Sequence, residues 1–598
     1  MVLAAPREDA VAAGRAPAGW VDWLLLTAIV ALFVAIAGHQ WKLPGLYNDE
    51  AYDVVPAMQL LLGQPVDLNR GVGVHLFGRA FPVMISDYQG VTSMYGVLPL
   101  FALLGPGVLA VRAFTIGLGA LALVLTYGLG RRLVGRGAGL LGALLLAVSP
   151  SFIFWSRVGV YVVVQVVPLA LGATLAYLRW RRAGARGRAG PLADGWLLLA
   201  GLLVGLGLST KILFLWFIAG VAAASVAIWL VDWRWPLDQD GRALPHRPLR
   251  ARLAEPARIP WRAVVAATLG FLVGAAPLIY YNLASGGTYQ VLRANLFHTA
   301  KGTNNLAVWD NLAHQAAQFQ VLLQGSYFWF LGGVYADHLL LPVFLVSAAG
   351  LPALVCGVRE YRRYRAAAVF LLTMLAAIYA QSAFTLSGLE TTHLLIMLPL
   401  PQLVIAAFVA LLARSLARLA GRAATTGHAR RALQVAALAL PVLALVAPPV
   451  AADLRVDRQY HQALAATGGK SSFSASIYDL AIFLDRFGYT RPYALDWGMK
   501  YNVELLTHGR VQPQEIYGQS TDLPPDFDAT LNRLFADPHA VFLAHRVTGD
   551  GVPAAYPGRV EELERLAAAE NKNVVVLKVI YESGGAPLFY VYSVRDRR

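Results

Sequence analysis

Long apolar runs separated by short polar segments dominate the chain up to about residue 450. The runs fall near 20–38, 107–130, 138–154, 158–179, 195–209, 211–232, 263–283, 338–357, 367–386, 394–412 and 432–449. About 18 apolar residues in a helix are enough to cross a hydrocarbon core of roughly 30 Å. The pattern predicts a polytopic α-helical membrane protein with about eleven transmembrane helices. The first run ends in Ala35-Ile36-Ala37, which has the look of a signal-peptidase site. Its polar leader carries Glu8 and Asp9, and the run is longer than a usual signal core, so it reads as an uncleaved span.

After residue 450 the periodicity changes. Helical spacing at 477–487 and 560–569 alternates with strand-like runs at 492–496, 540–545, 574–580 and 588–594. Two domains follow: a transmembrane domain over 1–450 and a soluble α/β domain over 451–598. Two long polar loops, 39–106 and 284–337, interrupt the spans. The apolar stretch 91–105 in the first loop is too short to span and reads as an interfacial or re-entrant helix.

Charge adds the orientation. Only 14% of residues are charged, against roughly 25% in soluble domains. The net charge of +15 comes largely from arginines in alternate connections. Arg131, Arg132 and Arg136 follow the second run, and Arg179, Arg181, Arg182, Arg186 and Arg188 the fourth. Arg234, Arg242, Arg247, Arg250, Arg252, Arg258 and Arg262 follow the sixth. Arg359, Arg362, Arg363 and Arg365 follow the eighth; Arg414, Arg418, Arg422, Arg430 and Arg431 follow the tenth. This alternation is positive-inside topology and not a nucleic-acid footprint. It puts the N-terminus in the cytoplasm and the C-terminal domain outside the cytoplasmic membrane. Cys356, the single cysteine, excludes a disulfide framework and reads as a small packing residue.

On the outer side the segment Tyr47-Asn48-Asp49-Glu50-Ala51-Tyr52-Asp53 concentrates three carboxylates directly after the first span. Arg112, Arg157 and Lys211 lie at outer span ends, against the topological bias. Charges at that depth are costly unless paired. Two roles are open for them: neutralising Asp49, Glu50 or Asp87, or holding a lipid phosphate. Sugar transfer from a lipid phosphate explains both sets together, since the leaving phosphate needs cations and the incoming nucleophile needs a carboxylate base. Glu390 and His393 in a short outer turn are secondary candidates; His298, Lys301 and Asn305 in the second loop are weaker. Gly205 to Lys211 lacks phosphate-loop spacing, and Gly201 and Gly205 read better as close helix packing. No Cys/His spacing suggests zinc.

The Asp49-Glu50 pair after the first span resembles that of the GT-C membrane glycosyltransferases. Further matches are Asp87-Tyr88-Gln89-Gly90, Leu104-Gly105, Val111-Arg112-Ala113-Phe114, Ser149-Pro150-Ser151-Phe152, Ser156-Arg157 and Ser209-Thr210-Lys211. The ordered series, over about 20–412, is similar to family 39: protein O-mannosyltransferases, lipid A aminoarabinose transferases and bacterial relatives. The resemblance implies a GT-C-like fold and an inverting glycosyltransferase using a polyprenyl-phosphate sugar donor. By that resemblance Asp49 is the acceptor-side base, Glu50 shares or positions that role, and Arg112 and Lys211 hold the lipid phosphate. Arg157, Asp87, Tyr88, Glu390 and His393 complete the expected substrate-binding set. The His-Pro-Pro segment of the eukaryotic enzymes is replaced here by Asp87-Tyr88-Gln89-Gly90, and the C-terminal domain also departs from their pattern. The acceptor thus stays open among lipid, glycan and protein.

No cofactor is expected to be required, although Asp49, Glu50, Asp53 and Asp87 leave room for a divalent cation. The rival class is a transporter or flippase for a lipid-linked or anionic substrate. Such proteins favour matching halves and mid-depth sites, whereas the unusual charges here lie at outer span ends.

Overall fold

The computed structural model describes residues 19–159, 163–185, 190–236, 242, 244–245, 260–423, 427–518, 522–545 and 554–597. Glu8, Asp9, Arg186, Arg188, Arg247, Arg250, Arg252 and Arg258 lie outside the described residues. Among the described residues, nine helices are long and apolar enough to cross a membrane, or ten if one bent pair counts as a span. Nine of the eleven expected runs correspond to these nine. The third is the bent pair, Arg136–Ala147 and Pro150–Val158, which meet at 61°. Pro150 explains the break, because a proline pushes the residue before it out of helical geometry and Ser149 is extended (φ −68°, ψ 119°). The fourth corresponds to the helix Val163–Ala185.

Glycine spacing sets the closest helix pair. Pro191–Thr210 packs along Trp261–Ser285 so tightly that side chains at Gly201, Gly205, Gly270 or Gly274 would collide with facing backbone. Here the helix-packing reading of Gly201 and Gly205 holds, and the hydroxyl of Ser209 seals the pair by donating to the Gly274 carbonyl at 2.9 Å. Cys356 is exposed and not packed, which corrects the expectation for it.

The first long loop is more structured than its polarity suggests. It holds the short helix Asn48–Tyr52, the helix Val55–Leu62, a hairpin pairing Gly73–Leu76 with Arg79–Pro82, and the helix Thr92–Leu104. That last helix has the apolar, sub-span length expected of it. The second long loop contains the helices Gly287–Ala294 and Val308–Gln324.

The last apolar helix, Gly427–Leu445, runs almost directly into Ala447–Thr467, which leads into the α/β region. Its five-stranded sheet has the order Gln514–Glu515, Tyr493–Ala494, Val541–His545, Pro587–Asp596, Lys572–Tyr581. The first three strands are parallel and the last two join antiparallel. Alternation along Val541–His545 sorts the two faces. Val541 and Leu543 pack with the helix Ser476–Arg486, while Phe542 and Ala544 pack with Phe527–Leu534 and Arg559–Ala569.

Candidate active site

The acidic segment becomes a one-turn helix, and its spacing divides the three carboxylates. Asp49 and Asp53 are four residues apart and share a face, while Glu50 is turned by roughly 100°. Glu50 is 1% exposed and meets Arg112, with Nε to Oε1 at 3.1 Å and Nη2 to Oε2 at 3.3 Å. The rest of the Arg112 guanidinium donates to the carbonyls of Trp41 (2.7 Å), Pro44 (3.0 Å) and Gly45 (3.4 Å). Arg112 is itself 1% exposed. Of the two roles open to it, the geometry displays the pairing one.

Arg157 behaves alike. Fully buried at the end of the bent helix, it donates to the Leu43 carbonyl at 2.8 Å and also contacts the carbonyls of Ala37 and Gln40. Two arginines thus hold the chain at 37–45, where it leaves the first span and turns into the acidic helix. Asp87 is likewise engaged by protein: Arg70 grips it at 2.7 and 2.8 Å and the Tyr281 hydroxyl donates to it, while its carbonyl accepts from Thr288 at 2.6 Å.

The other face of the acidic helix looks toward Lys211. This residue occupies the extended break between two spans (φ −154°, ψ 127°). The first loop reaches that break: Gln89 and Lys211 form an antiparallel bridge, and the Ile212 amide donates to the Tyr88 carbonyl at 3.1 Å. Lys211 Nζ donates to Gln89 Oε1 at 3.1 Å and lies 5.4 Å from the centre of the Tyr88 ring. The Gln89 amide in turn donates to Asp53. Gly90 is required at this crossing, since a Cβ there would run into the Ser209 carbonyl.

Electrostatics marks the same place. Burial pushes the Asp49 carboxyl up to about 6, against the opposing pull of Lys211, Lys301 and a hydrogen bond from Asn48. Burial pushes Asp53 up to about 7, again opposed by Lys211. The Lys211 ammonium is held below its usual range by burial, with Asp53 and Asp49 working the other way. Tyr88 is raised by burial and then by Asp49, Asp53 and Asp87. His393 is lowered to about 3 by burial, reinforced by Lys211 and Lys301, so it faces the site as a neutral ring. Its Nδ1 is buried without a hydrogen-bond partner. Glu390 precedes the short helix Thr391–Leu394 without a side-chain capping bond and lies with Lys301 around Gly388.

Asp49, Tyr88, Lys211 and His393 are thus brought together electrostatically, with Glu390 at the edge beside Lys301. Arg112, Arg157 and Asp87 serve the surrounding frame. Sequence reasoning undervalued Lys301 and left out Gln89 and Glu515. The acidic Glu515, on the edge strand of the tail, contributes to the field at Asp49. Its only sequence signal would have been a contact across more than 450 residues, which no local pattern carries. Asn305 is a tie, donating to the Thr385 carbonyl at 2.9 Å and accepting from its amide at 3.0 Å. Among the described residues no group of three His, Cys, Asp or Glu side chains is arranged to hold a metal ion.

The tail closes over this assembly. Tyr47 stacks on Phe473 with centroids 4.0 Å apart, the Tyr501 amide donates to Asn48 Oδ1 at 3.1 Å, and Gln59 Nε2 donates to Glu504 Oε1 at 2.8 Å.

Comparison with known proteins agrees with this architecture. The profile of the dolichyl-phosphate-mannose-protein mannosyltransferase family matches residues 102–253. The crystal structure of ArnT from Cupriavidus metallidurans bound to undecaprenyl phosphate is similar over 96% of this chain and 98% of that one, with a TM-score of 0.56 and 14% identity. The archaeal oligosaccharyltransferase AglB from Archaeoglobus fulgidus, in complex with an inhibitory peptide and a dolichol-phosphate, is similar over 88% of this chain and 69% of that one, with a TM-score of 0.52 and 14% identity. No curated protein sequence matches significantly. The helical architecture, the C-terminal sheet and these likenesses together show that the chain has the GT-C fold, and its residues 102–253 resemble the mannosyltransferase family.

Proposed function

We propose that the protein is an inverting glycosyltransferase that moves a sugar from a polyprenyl-phosphate donor to an acceptor at the outer face of the cytoplasmic membrane. The observation that carries this reading is the buried opposition of Asp49 and Asp53 to Lys211 at the outer ends of the spans. The similar ArnT structure holds undecaprenyl phosphate, and the AglB structure a dolichol-phosphate. Both are polyprenyl-type carriers, which supports the donor class.

The acceptor hydroxyl or amine attacks the anomeric carbon from the side opposite the phosphate. Its proton passes to the Asp49 carboxylate as the new glycosidic bond forms. The bond between the anomeric carbon and the phosphate oxygen breaks, and the polyprenyl phosphate leaves with the electron pair. Lys211, with Lys301 nearby, stabilises the growing charge on the phosphate. Asp53 and Gln89 hold Lys211 in place, and Arg112 fixes the backbone of the base through Glu50. Because these lysines provide positive charge, no divalent cation is required in this scheme; transfer is expected to persist in EDTA. The basic cytoplasmic connections set the orientation, with residues 451–598 outside.

Incubating purified protein with a panel of labelled polyprenyl-phosphate sugars, followed by mass spectrometry, tests the reading. Release or transfer of sugar by the native protein, lost in Asp49→Asn, is expected. Intact donors throughout the panel would reject it. The charged groups gather at outer span ends rather than mid-depth, which disfavours the transporter alternative.

A further inference from the structure

The hairpin of the first long loop closes through only two residues, Phe77 and Gly78. Both take positive φ, +53° and +72°, as a tight turn matched to the twist of its strands requires. Asn-Gly suits that geometry, whereas a phenylalanine in the left-handed region is strained. No packing within the chain offsets the strain, since Phe77 is 97% exposed. Val74 and Leu76, which share one face of their strand, are exposed as well. A strained aromatic tip that buries almost nothing points to a contact outside the chain.

The feet of the hairpin say where that contact lies. Val72 and Val83, on either side of it, pack with Leu278 and Tyr281, and the Tyr280 hydroxyl donates to the Gly73 carbonyl at 3.5 Å. These partners belong to the last turns of the span Trp261–Ser285. Ile279 and Leu283 on the same helix end are exposed, and on a membrane-crossing helix such side chains meet lipid. The hairpin thus springs from a lipid-facing span end, and four residues at about 3.4 Å each put its tip about 14 Å from Gly73. Arg79, beside the turn, donates to the Leu60 carbonyl at 3.1 Å. That bond sets the tip next to Leu61 and Leu62, the exposed apolar end of the helix Val55–Leu62. The strand pair also carries His75 and Arg79 and no acidic residue. Such charge suits the phosphates of a bilayer surface.

We propose that this hairpin is a membrane anchor. Phe77, with Leu76 beside it, inserts into the leaflet on the side of the acidic helix, while His75 and Arg79 stay among the headgroup phosphates. Burial of the ring in lipid compensates for the strain of the turn. The anchor holds the first loop at a fixed depth, including the Tyr88 to Gly90 segment that crosses at Lys211.

Spin labelling of the full-length protein in lipid nanodiscs tests the anchor. Cys356→Ser removes the single cysteine, after which Leu76→Cys, Phe77→Cys or Glu561→Cys carries one nitroxide. Glu561 is exposed on the helix Arg559–Ala569 and serves as the aqueous reference. Power saturation compares collisions with oxygen, which concentrates in lipid, and with nickel(II) ethylenediaminediacetate, which stays in water. At both tip positions oxygen should dominate several-fold, with the label about 5–10 Å inside the phosphate level. Nickel should dominate at the reference position. Phe77→Asn fits the turn better, so Leu76→Cys combined with it should stay folded yet shift its label several-fold toward nickel. Nickel dominance at both tip positions would place the hairpin in water and overturn the proposal. Labels shielded from both reagents would overturn it in favour of a protein partner or a second copy. A Leu76→Cys label that Phe77→Asn leaves unmoved would overturn it too.

Discussion

Asp49 and Glu50 are adjacent in the chain yet have different surroundings. One faces Lys211 with partial access to solvent; the other is sealed against Arg112. Their substitutions should therefore fail differently. Asp49→Asn preserves shape but cannot accept a proton, so kcat is expected to fall about 10²–10⁴-fold with the melting temperature unchanged. Breaking one side of a buried ion pair costs about 3–5 kcal/mol. Glu50→Gln should accordingly lower thermal stability as well as activity, and a melting curve in detergent distinguishes the two. Burial raises the Asp49 pKa to about 6. In the proposed mechanism Asp49 accepts the proton as a carboxylate, so kcat/KM should rise with pH through about 6 and fall below it. That inflection should vanish in the residual activity of Asp49→Asn. Lys211→Ala should reduce turnover about 10²–10³-fold by removing charge stabilisation from the leaving phosphate. The Asp-Glu dipeptide was legible in the sequence, but which acid pairs and which stays available was not. A rotation of one residue around a short helix decides it.

At the scale of elements, the site depends on a crossing of three pieces: the acidic helix, the Tyr88 to Gly90 segment, and the break at Lys211. Gly90 admits the Ser209 carbonyl, and Gly205 and Gly274 admit the facing backbones below it. Gly205→Val would force the two spans apart and is expected to cost about 1–3 kcal/mol of overpacking strain. It should displace Lys211 and lower the yield of monodisperse protein, read by size-exclusion chromatography. The long apolar helices were legible because a membrane leaves backbone groups no alternative to satisfying one another within a helix. The tail elements at 476–486, 541–545, 559–569, 572–581 and 587–596 also followed their periodicity closely. The hairpin at 73–82 and the helices 287–294, 308–324, 501–506 and 527–534 did not stand out. They are short or polar on most faces, and packing against other parts of the chain stabilises them more than local propensity does.

Over the whole molecule, the C-terminal α/β region packs against the segment that leads into the acidic helix. Tyr501, Asn502, Phe473 and Tyr478 all bond or stack with residues 42–48. Asn502→Ala, which removes the 3.3 Å contact to the Leu46 carbonyl, is expected to lower activity without abolishing membrane insertion. Donor turnover alongside membrane fractionation checks this. Topology has its own test in the exposed Cys356, at the basic end of its span. A membrane-impermeant maleimide should label it in inside-out vesicles and leave it unlabelled in right-side-out ones.

Apolar periodicity and arginine alternation, read from the chain alone, determined the membrane class, the placement of the spans and the expected orientation. Both are properties of contiguous residues facing one solvent, and contiguous residues are what a linear pattern records. Tertiary structure decided that Arg112 and Arg157 frame the loop, that Lys211 faces Asp49 and Asp53, and that the tail reaches residue 48. These outcomes depend on groups separated by tens to hundreds of residues competing for the same partner. Such competition is settled only when burial removes water as the alternative for each charge.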